Sequence, residues 1–336
     1  MRLLPTLLAL LATSTPLALA KCTTCPCHAE TKPIAQKNDL QIYTYHAAPV
    51  PLTYQNTTDL SFSPTTFTLI ATDSEAVLVD APISPERGNE LADWIEETVP
   101  GRKLTAVYIT HGHGDHFFAI PTIQTRFPGV KILATQEVYD HMEQQIEPEF
   151  FASFWAALFP GLEAPVLEDI TILEETYPSL SFYLNSNSNG NNHHSQHKKQ
   201  YELRAVEVGE GDTVNSTVLY VPDLHAVITG DVVYGHCYQY LAENPTPALR
   251  AQWLASIDKV AALRPKYVIP SHALPGEEYG VEHLAETREY IHTFESLLET
   301  TETWQDLEGE LVKRFSDREG SFILRYSSQS FFNAAF

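Results

Sequence analysis

Four side chains that can bind a metal stand within six positions of the sequence. The stretch YITHGHGDHFF, residues 108–118, contains His111, His113, Asp115 and His116, with glycines at 112 and 114. Neutral imidazoles and carboxylates are ligands for Zn²⁺ and other first-row divalent ions. The non-functional explanation is that Asp115 caps a helix and the histidines are unrelated surface or core residues. It does not account for three histidines and one aspartate at one point of the chain, so the pattern predicts a metal site.

The sequence around this cluster indicates how the side chains are positioned. The apolar residues 104–110 predict a buried strand that ends at the cluster. Alternate side chains of an extended chain point to the same side, so His111 and His113 should face one point. We expect the glycines at 112 and 114 to allow a sharp turn, after which a short helix is predicted at 115–127. Four ligands would then converge without any long-range contact.

These residues resemble a known family. The motif H-x-H-x-D-H at residues 111–116 is similar to the signature of the metallo-β-lactamase superfamily. Two more motifs follow in the order of that family: Gly230-Asp231 in HAVITGDVVY, and His272 in KYVIPSHALPG, where members typically have Gly-His. The resemblance covers about residues 66–300. It implies an α/β fold, an αββα four-layer sandwich of two mixed β-sheets flanked by helices, with the site at one edge between the sheets.

The resemblance also implies a ligand set for two divalent metal ions ~3.5–4 Å apart. Zinc is the expected metal, with manganese or iron as alternatives. Carried over residue by residue, the first metal would be held by His111 and His113, the second by Asp115, His116 and His272, and Asp231 would bridge the two.

One expected ligand departs from the family pattern. Members usually supply a third histidine to the first metal, but VGEGDTVNSTVLYVP contains none. Aligning Gly211-Asp212-Thr213 with Gly-His-Thr gives Asp212 that place, and a register two residues earlier gives Glu210. We prefer Asp212 because the Gly-x-Thr frame is retained, while both acids could also be solvated loop residues. A carboxylate here would favour manganese or iron relative to zinc, or leave the site with one metal.

Such a site would carry out metal-assisted hydrolysis. A metal-bound hydroxide would attack the carbonyl of an ester, lactone, thioester or lactam, and Asp115 or Asp212 would pass a proton to the leaving group. The chain has no Gly-x-Ser-x-Gly motif of a serine hydrolase, and no Gly-x-Gly-x-x-Gly after a strand. The alternatives are a metal-dependent oxidoreductase similar to persulfide dioxygenases, a phosphodiesterase, and a non-catalytic protein with a relict site.

Composition limits the partners. The 336 residues carry a formal net charge of −22 at pH 7, which would repel nucleic-acid phosphates and anionic lipid headgroups. Beyond the N-terminus no stretch reaches the ~18 apolar residues of a membrane span. We therefore expect a small-molecule substrate, no nucleic acid and no membrane, and the oligomeric state is left open.

The N-terminus predicts secretion. Arg2, the apolar LLPTLLALLA and Ala18-Leu19-Ala20 follow the order of a signal peptide at residues 1–20. Secretion permits disulfides among Cys22, Cys25, Cys27 and Cys237, whose pairing the sequence does not fix. The first three could also bind a metal. Asn-x-Thr patterns begin at residues 56 and 215, and we expect glycosylation at the first only.

The chain then divides into a cysteine-containing segment (21–38), a catalytic domain (39–303) and a C-terminal extension (304–336). Residues 184–200 are a polar, low-complexity insertion, predicted to be a surface loop. Strands are predicted at 40–47, 66–72, 75–81, 104–110, 130–135, 201–209, 216–222, 225–231 and 266–270, and helices at 85–99, 115–127, 136–147, 248–263 and 281–300.

Three features outside the cluster are further candidates. Asp80, at the end of a predicted strand, either orients a metal-binding histidine or simply begins a turn before Pro82. The aromatic residues 149–162 predict a helix that covers the core or a flap over a pocket. Past Asp231, His236 and Tyr238 are candidate donors to a substrate carbonyl, with packing as the alternative for the tyrosine.

Overall fold

The computed structural model describes residues 28–29, 32–57, 59–174, 180–187 and 199–332. The predicted signal peptide, Cys22, Cys25 and Cys27 lie outside these residues, as do residues 188–198 of the predicted insertion. Within them Cys237 is a buried free thiol. Disulfide pairing at the N-terminus therefore stays a prediction.

The first of two sheets is built mainly from the N-terminal half of the chain. Its strands lie in the order β1-β3-β4-β5-β6-β7-β8, and β2 also pairs with β3. The pairs from β1 to β5 are antiparallel and those from β5 to β8 are parallel. The strands are β1 (His28–Ala29), β2 (Ala35–Lys37), β3 (Leu40–Ala47), β4 (Thr65–Ala71), β5 (Glu75–Val79), β6 (Lys103–Tyr108), β7 (Lys131–Ala134) and β8 (Ile170–Ile172).

The second sheet has the order β13-β12-β11-β10-β9 and is also mixed, because β12 and β13 are parallel and the other pairs are antiparallel. Its strands are β9 (Ser181–Ser186), β10 (Lys199–Gly209), β11 (Ser216–Val221), β12 (Ala226–Gly230) and β13 (Tyr267–Pro270). β9 and β10 pair up to Ser186 and Lys199. The ends of the predicted insertion, 184–186 and 199–200, therefore belong to strands.

Nine helices are described, and they pack on the outer faces of the sheets or cover the site. They are α1 (Pro85–Thr98), α2 (Ile120–Arg126), α3 (Gln136–Gln145), α4 (Pro148–Ser153), α5 (Trp155–Leu158), α6 (Pro247–Ala262), α7 (Glu282–Leu298), α8 (Trp304–Arg314) and α9 (Ser321–Ser330). Among the described residues no helix is long and apolar enough to cross a bilayer.

The alternation of side chains along each strand produces the layers. In β5, Val77 and Val79 point into the apolar space between the sheets, where they meet residues such as Leu219 and Ile228 of the second sheet. Leu78, between them, points to the opposite face and packs in the cluster that contains the helices. The result is the predicted αββα sandwich of two mixed sheets, which the structure confirms.

The C-terminal residues are part of this core. Phe322 and Ile323 of α9 are buried in the same apolar cluster as the outer face of the first sheet, and α9 contacts α8. The described part of the segment predicted as an extension, residues 304–332, thus packs on the body of the domain, and Ile323 reaches the site described below.

Candidate metal centre

The candidate ligands lie where strands of both sheets end. His111, His113, Asp115 and His116 follow β6, Asp231 follows β12 and His272 follows β13. β5 and β6 are parallel neighbours, as are β12 and β13, so their carboxyl ends meet at one edge of the sandwich.

Gly112 and Gly230 are required here because a larger residue would not fit. Gly112 and Gly114 are absent from the positive-φ residues, so the sharp turn expected from backbone freedom is not their role. A Cβ at Gly112 would lie 2.6 Å from the His141 ring. A Cβ at Gly230 would lie 2.7 Å from Thr110 Oγ1, and Gly230 also has a φ of +51°. The contact between Gly230 and Thr110 brings the ends of β12 and β6 close enough for the side chains that follow them to meet.

The six histidines and acids carried over from the family motifs, together with Asp212, come together. Atoms of His111, His113 and Asp212 lie within 4.8 Å of one another, and so do atoms of Asp115, His116 and His272. We call these the first donor group and the second donor group.

Asp231 lies between the two donor groups. Its Oδ1 is 3.5 Å from His116 Nε2, and its Oδ2 is 4.0 Å from His111 Nε2 and 3.0 Å from His272 Nε2. This is the position that the sequence predicts for a bridging ligand.

Asp212, rather than Glu210, completes the first donor group. Asp212 Oδ2 lies 3.2 Å from His113 Nδ1. The loop that carries Asp212 is held by Asn244, whose side-chain amide donates to the carbonyl oxygens of Gly211 and Asp212. Glu210 is buried nearby but belongs to none of the donor groups that the described residues form.

Each of the four histidines directs one ring nitrogen to an outer partner and the other to the centre. His116 Nδ1 is 3.0 Å from Asp80, His272 Nδ1 is 2.8 Å from the Pro64 carbonyl oxygen, His111 Nδ1 is 3.0 Å from Thr110 Oγ1, and His113 Nε2 is 3.1 Å from Glu243. Such outer contacts fix the orientation and tautomer of metal-binding histidines.

Several atoms that face the centre have no hydrogen-bond partner in the described part of the chain. They are His111 Nε2, His116 Nε2, Asp115 Oδ2, Asp212 Oδ1 and Asp231 Oδ1. Buried polar atoms are rarely left unsatisfied. Five of them around one point, on nitrogen and oxygen donors, fit divalent cations.

Without a cation, these groups neutralise one another as ion pairs. Burial opposes charge on the His272 ring, but Asp231 and Asp115 raise its pKa to about 10. His116 behaves in the same way: burial acts against its charged form, and Asp115 and Asp231 still raise its pKa well above the ordinary value. A divalent cation would take the place of these protons.

The acids in or beside the first donor group differ from these histidines in the cause of their pKa shifts. Burial raises the pKa of Asp212 to about 7, although His113 lowers it. Burial also raises the pKa of Glu210 to about 7, with Asp212 and Glu243 adding to it. For Glu243 burial acts in the same direction, but the His113 ring beside it lowers its pKa to about 2.

Asp80 and Glu243 hold the histidines from outside. Asp80 accepts hydrogen bonds from the Thr110 backbone N–H at 2.8 Å and from Ser271 Oγ at 3.3 Å while it contacts His116. Of the two interpretations of Asp80, this contact agrees with the orienting one. Glu243 is fixed by a hydrogen bond from Thr213 Oγ1. Sequence reasoning missed Glu243, which lies in an irregular segment between β12 and α6 without any motif.

A pocket with about 430 Å³ of empty space opens beside the centre. Asp115, Asp212, Asp231, His113 and His272 form part of its lining. Asp115 makes no capping hydrogen bond through its side chain, so the helix-cap explanation of this residue is wrong.

The aromatic residues 149–162 serve both predicted purposes. Phe150, Phe154 and Trp155 line the pocket, whereas Phe151 and Leu158 are buried in the core.

Two predicted pocket residues lie elsewhere. Tyr238 is buried and donates to the Phe315 carbonyl oxygen, and the His236 ring lies 3.6 Å from Glu277. Neither belongs to the described lining. For Tyr238 this agrees with the packing role, and for His236 contact with substrate finds no support in the described lining. Tyr234 and Tyr240 of the same segment line the pocket instead. The Tyr234 hydroxyl donates to Asp231 Oδ2 at 2.9 Å and to Asp212 Oδ2 at 3.2 Å.

Comparison with known proteins agrees with the sequence motifs. The sequence model of the Metallo-beta-lactamase superfamily matches residues 60–272, well over half of the chain. The chain belongs to this superfamily. A metallo-beta-lactamase type 2 from Bacteroides fragilis is 21% identical over 238 residues, which are 67% of this chain and 74% of that protein. A hydroxyacylglutathione hydrolase from Stenotrophomonas maltophilia is 37% identical over 73 residues, 20% of this chain and 24% of the relative.

Solved structures show the same fold. A metallo-beta-lactamase from Pontibacter korlensis superposes with a TM-score of 0.52 at 19% identity, covering 79% of this chain and 99% of that one. The metallo-beta-lactamase FIM-1 from Pseudomonas aeruginosa, in its mono-zinc form, superposes with a TM-score of 0.50 at 16% identity, covering 80% and 96%. At these identities the likeness concerns the fold alone.

Proposed function

We propose that this member of the superfamily is a metal-dependent hydrolase that cleaves an ester, lactone, thioester or lactam. The observation that carries the proposal is the division of the histidine nitrogens, one to an outer partner and one to the centre, around carboxylates that each keep a buried oxygen without a hydrogen bond. A site built only for stability would have satisfied these buried oxygens with hydrogen bonds.

The proposed ligands follow the donor groups. The first cation would be held by the first donor group, the second by the second donor group, and Asp231 would contact both. Zinc is the proposed metal. The carboxylate of Asp212 favours manganese or iron more than a third histidine would, which keeps the metal-dependent oxidoreductase as the second candidate. Cations bound there would polarise a carbonyl and make a nearby water acidic.

The remaining steps fall to residues of the chain. Asp115 and Asp212 line the pocket, so either carboxylate is placed to take the proton from the attacking water and pass it to the leaving group. Tyr234 keeps Asp231 and Asp212 oriented through its two hydrogen bonds.

The decisive experiment is metal analysis of two matched variants, followed by a substrate panel. Asp212→Ala should lower the metal content from two ions to one per chain, whereas Glu210→Ala should leave it unchanged. The reverse result would make Glu210 the ligand. A wild-type protein that binds no divalent metal, or that hydrolyses none of the four substrate classes when loaded, would contradict the proposal. Redox-active iron with no hydrolysis would favour the oxidoreductase.

We also propose that the protein is secreted, on the basis of the leader at residues 1–20. Expression of the full chain in a secreting host should release a protein whose N-terminal sequence begins at Lys21. Recovery of the whole chain inside the cell, with Met1 or Arg2 at its start, would contradict this.

A further inference from the structure

The walls of the pocket away from the donor groups are mainly apolar, with Ser63 and Gln145 as polar members. They consist mainly of Phe62, Phe150, Phe154, Trp155, Tyr240 and Ile323. The rings contact one another: Phe150 and Phe154 stack at 5.6 Å between centroids, and Phe154 meets Trp155 edge-on at 5.0 Å. Such a wall binds apolar groups by removing them from water and offers few partners to a charged group.

The charged residues of the pocket are acids. Asp115, Asp212, Asp231 and Glu243 line it, and within the described part of the chain no lysine or arginine does. Two divalent cations would balance these four carboxylates without any positive surplus, and a single cation would leave the pocket negative. An anionic substrate group would therefore find no counter-charge beyond the cations themselves.

The space next to the pocket also combines an aromatic ring with acidic residues. A wider depression of about 810 Å³ shares Phe150, Gln145 and Glu243 with the pocket and is also lined by Glu147. Phe150 keeps 37% of its surface exposed, which places it at the mouth between the two spaces.

The arginines on neighbouring segments have other partners. Arg318 donates to the carbonyl oxygens of Gly235 and Cys237, and Arg325 pairs with Glu308. Neither supplies a counter-charge to the pocket.

From these observations we infer that the substrate is uncharged around its scissile carbonyl and carries an apolar acyl group that lies against the aromatic wall. This inference rests on the proposed hydrolase function. It separates this chain from hydrolases whose substrates carry carboxylates near the reacting bond, glutathione thioesters among them.

The first test compares two esters of the same length. In p-nitrophenyl hexanoate the acyl chain ends in a methyl group, and in the p-nitrophenyl monoester of adipic acid a carboxylate replaces that methyl. We expect the metal-loaded protein to favour the neutral ester at least about tenfold in kcat/KM, because the carboxylate would be buried without a partner. Equal or faster cleavage of the adipate ester would overturn the inference and leave the hydrolase function standing.

A charge placed at the mouth should reverse part of this preference. Phe150→Lys should raise the adipate-to-hexanoate ratio about twofold to fivefold, as expected for a partly screened charge pair. Phe150→Leu should leave the ratio unchanged. Tyr183→Lys adds the same charge in place of an exposed aromatic residue on β9, outside the described pocket lining, and should also leave it unchanged. A ratio that shifts equally in both lysine variants would contradict the inference.

Binding of non-hydrolysable ligands separates the inference from the function. 2-Octanone and 7-oxooctanoate are ketones of equal length that differ only in a terminal carboxylate. Titration followed by tryptophan fluorescence, with Trp155 in the pocket wall, should show tighter binding of the neutral ketone to metal-loaded protein. If the protein cleaves neither these esters nor any other member of the substrate panel, the hydrolase proposal fails and this titration still decides the inference: tighter or equal binding of the anionic ketone would refute it.

Discussion

Replacing Asp80 by asparagine should weaken cation binding at the second donor group, although Asp80 is not itself a proposed ligand. Asp80 Oδ2 lies 3.0 Å from His116 Nδ1, and its carboxylate also accepts from the Thr110 backbone N–H. Asp80 is fully buried and has a φ of +63°. Asparagine tolerates this left-handed conformation as aspartate does, so the substitution keeps the backbone and changes only the charge and one hydrogen-bonding group.

The magnitude follows from the tautomer of His116. If the amide oxygen keeps the Thr110 hydrogen bond, the amide NH₂ faces His116 Nδ1, which must then accept. The ring proton moves to Nε2, the nitrogen that faces Asp115 and Asp231, where it blocks a cation. If the ring proton returned to His116 Nδ1, that N–H would face the amide NH₂ of the substituted side chain, and two donors would meet without an acceptor. That costs about 1–3 kcal/mol, or about 10-fold to 100-fold in Kd.

Competition with a coloured chelator measures the Kd of each cation in wild type and variant. Asp169→Asn is the matched control, because Asp169 is exposed, far along the sequence from the donor groups, and also has a positive φ of 57°. Urea unfolding of the metal-free proteins checks that each variant is folded. A folded Asp80→Asn protein with both dissociation constants within about threefold of wild type would refute the tautomer argument.

The other predictions concern the first donor group and the cations. Glu243→Gln removes the charge beside His113 Nε2, and we expect the affinity for one cation to fall about tenfold in the same chelator assay. Burial, then Asp212 and Glu243, raises the pKa of Glu210 from 4.5 to about 7 in the metal-free protein. Its neutral form therefore stabilises the fold fully below pH 4.5, and this is lost as the pH rises through 7. Glu210→Gln, which does not ionise, should gain about 1–2 kcal/mol over wild type between pH 4 and pH 8 in urea unfolding, because solvent screening reduces the effect of the shift. Chelation of two cations, each present at ~1,000 times its Kd, should lower Tm by about 10 °C, because each then contributes ~4 kcal/mol and the two together ~8 kcal/mol. Wild-type cation affinity in Glu243→Gln, parallel pH profiles for Glu210→Gln and wild type, or an unchanged Tm would each contradict the corresponding argument.

Buried strands were the most predictable part of the fold. Residues 40–47 were predicted as a strand and form β3, Leu40–Ala47, and the other long apolar stretches give strands within one or two residues of the prediction. A strand that is covered on both faces is a continuous apolar run in the sequence, so its burial can be predicted from that run. β8 and β9 lack this signal because they are short or mixed in polarity, and both were missed.

The C-terminal helices were missed for a different reason. In α9, Phe322 and Ile323 are buried beside polar residues that are buried as well, among them Ser327 and Gln329. Although α9 is about as amphipathic as α1, which was predicted, it has only ten residues and several of its polar positions are not exposed. Its contact with the pocket depends on the packing of the whole chain, which local periodicity does not contain.

The donor residues were predictable and their outer partners were only partly so. The H-x-H-x-D-H motif, Asp231 and His272 follow strand ends and match family motifs, so they were predictable, although their meeting depends on contacts between distant segments such as Gly230 and Thr110. Asp80 was found as one of two interpretations, since it ends a strand. Glu243 and the Pro64 carbonyl oxygen reach the centre from irregular segments, and no spacing rule links them to the histidines that they hold.

The contributions from both sheets couple cation binding to folding. His116 depends on Asp80 from the first sheet, while Asp231 and His272 come from the second, so the donor groups exist only when the two sheets are packed together. Cations should therefore bind the folded chain alone, and their binding free energy adds to stability. The affinity that Asp80→Asn loses must then reappear, at saturating metal, as an equal loss in the stabilisation that chelation removes. Two independent measurements, a dissociation constant and an unfolding free energy, thus have to agree, and they agree only if the cations bind the folded chain and not the unfolded one.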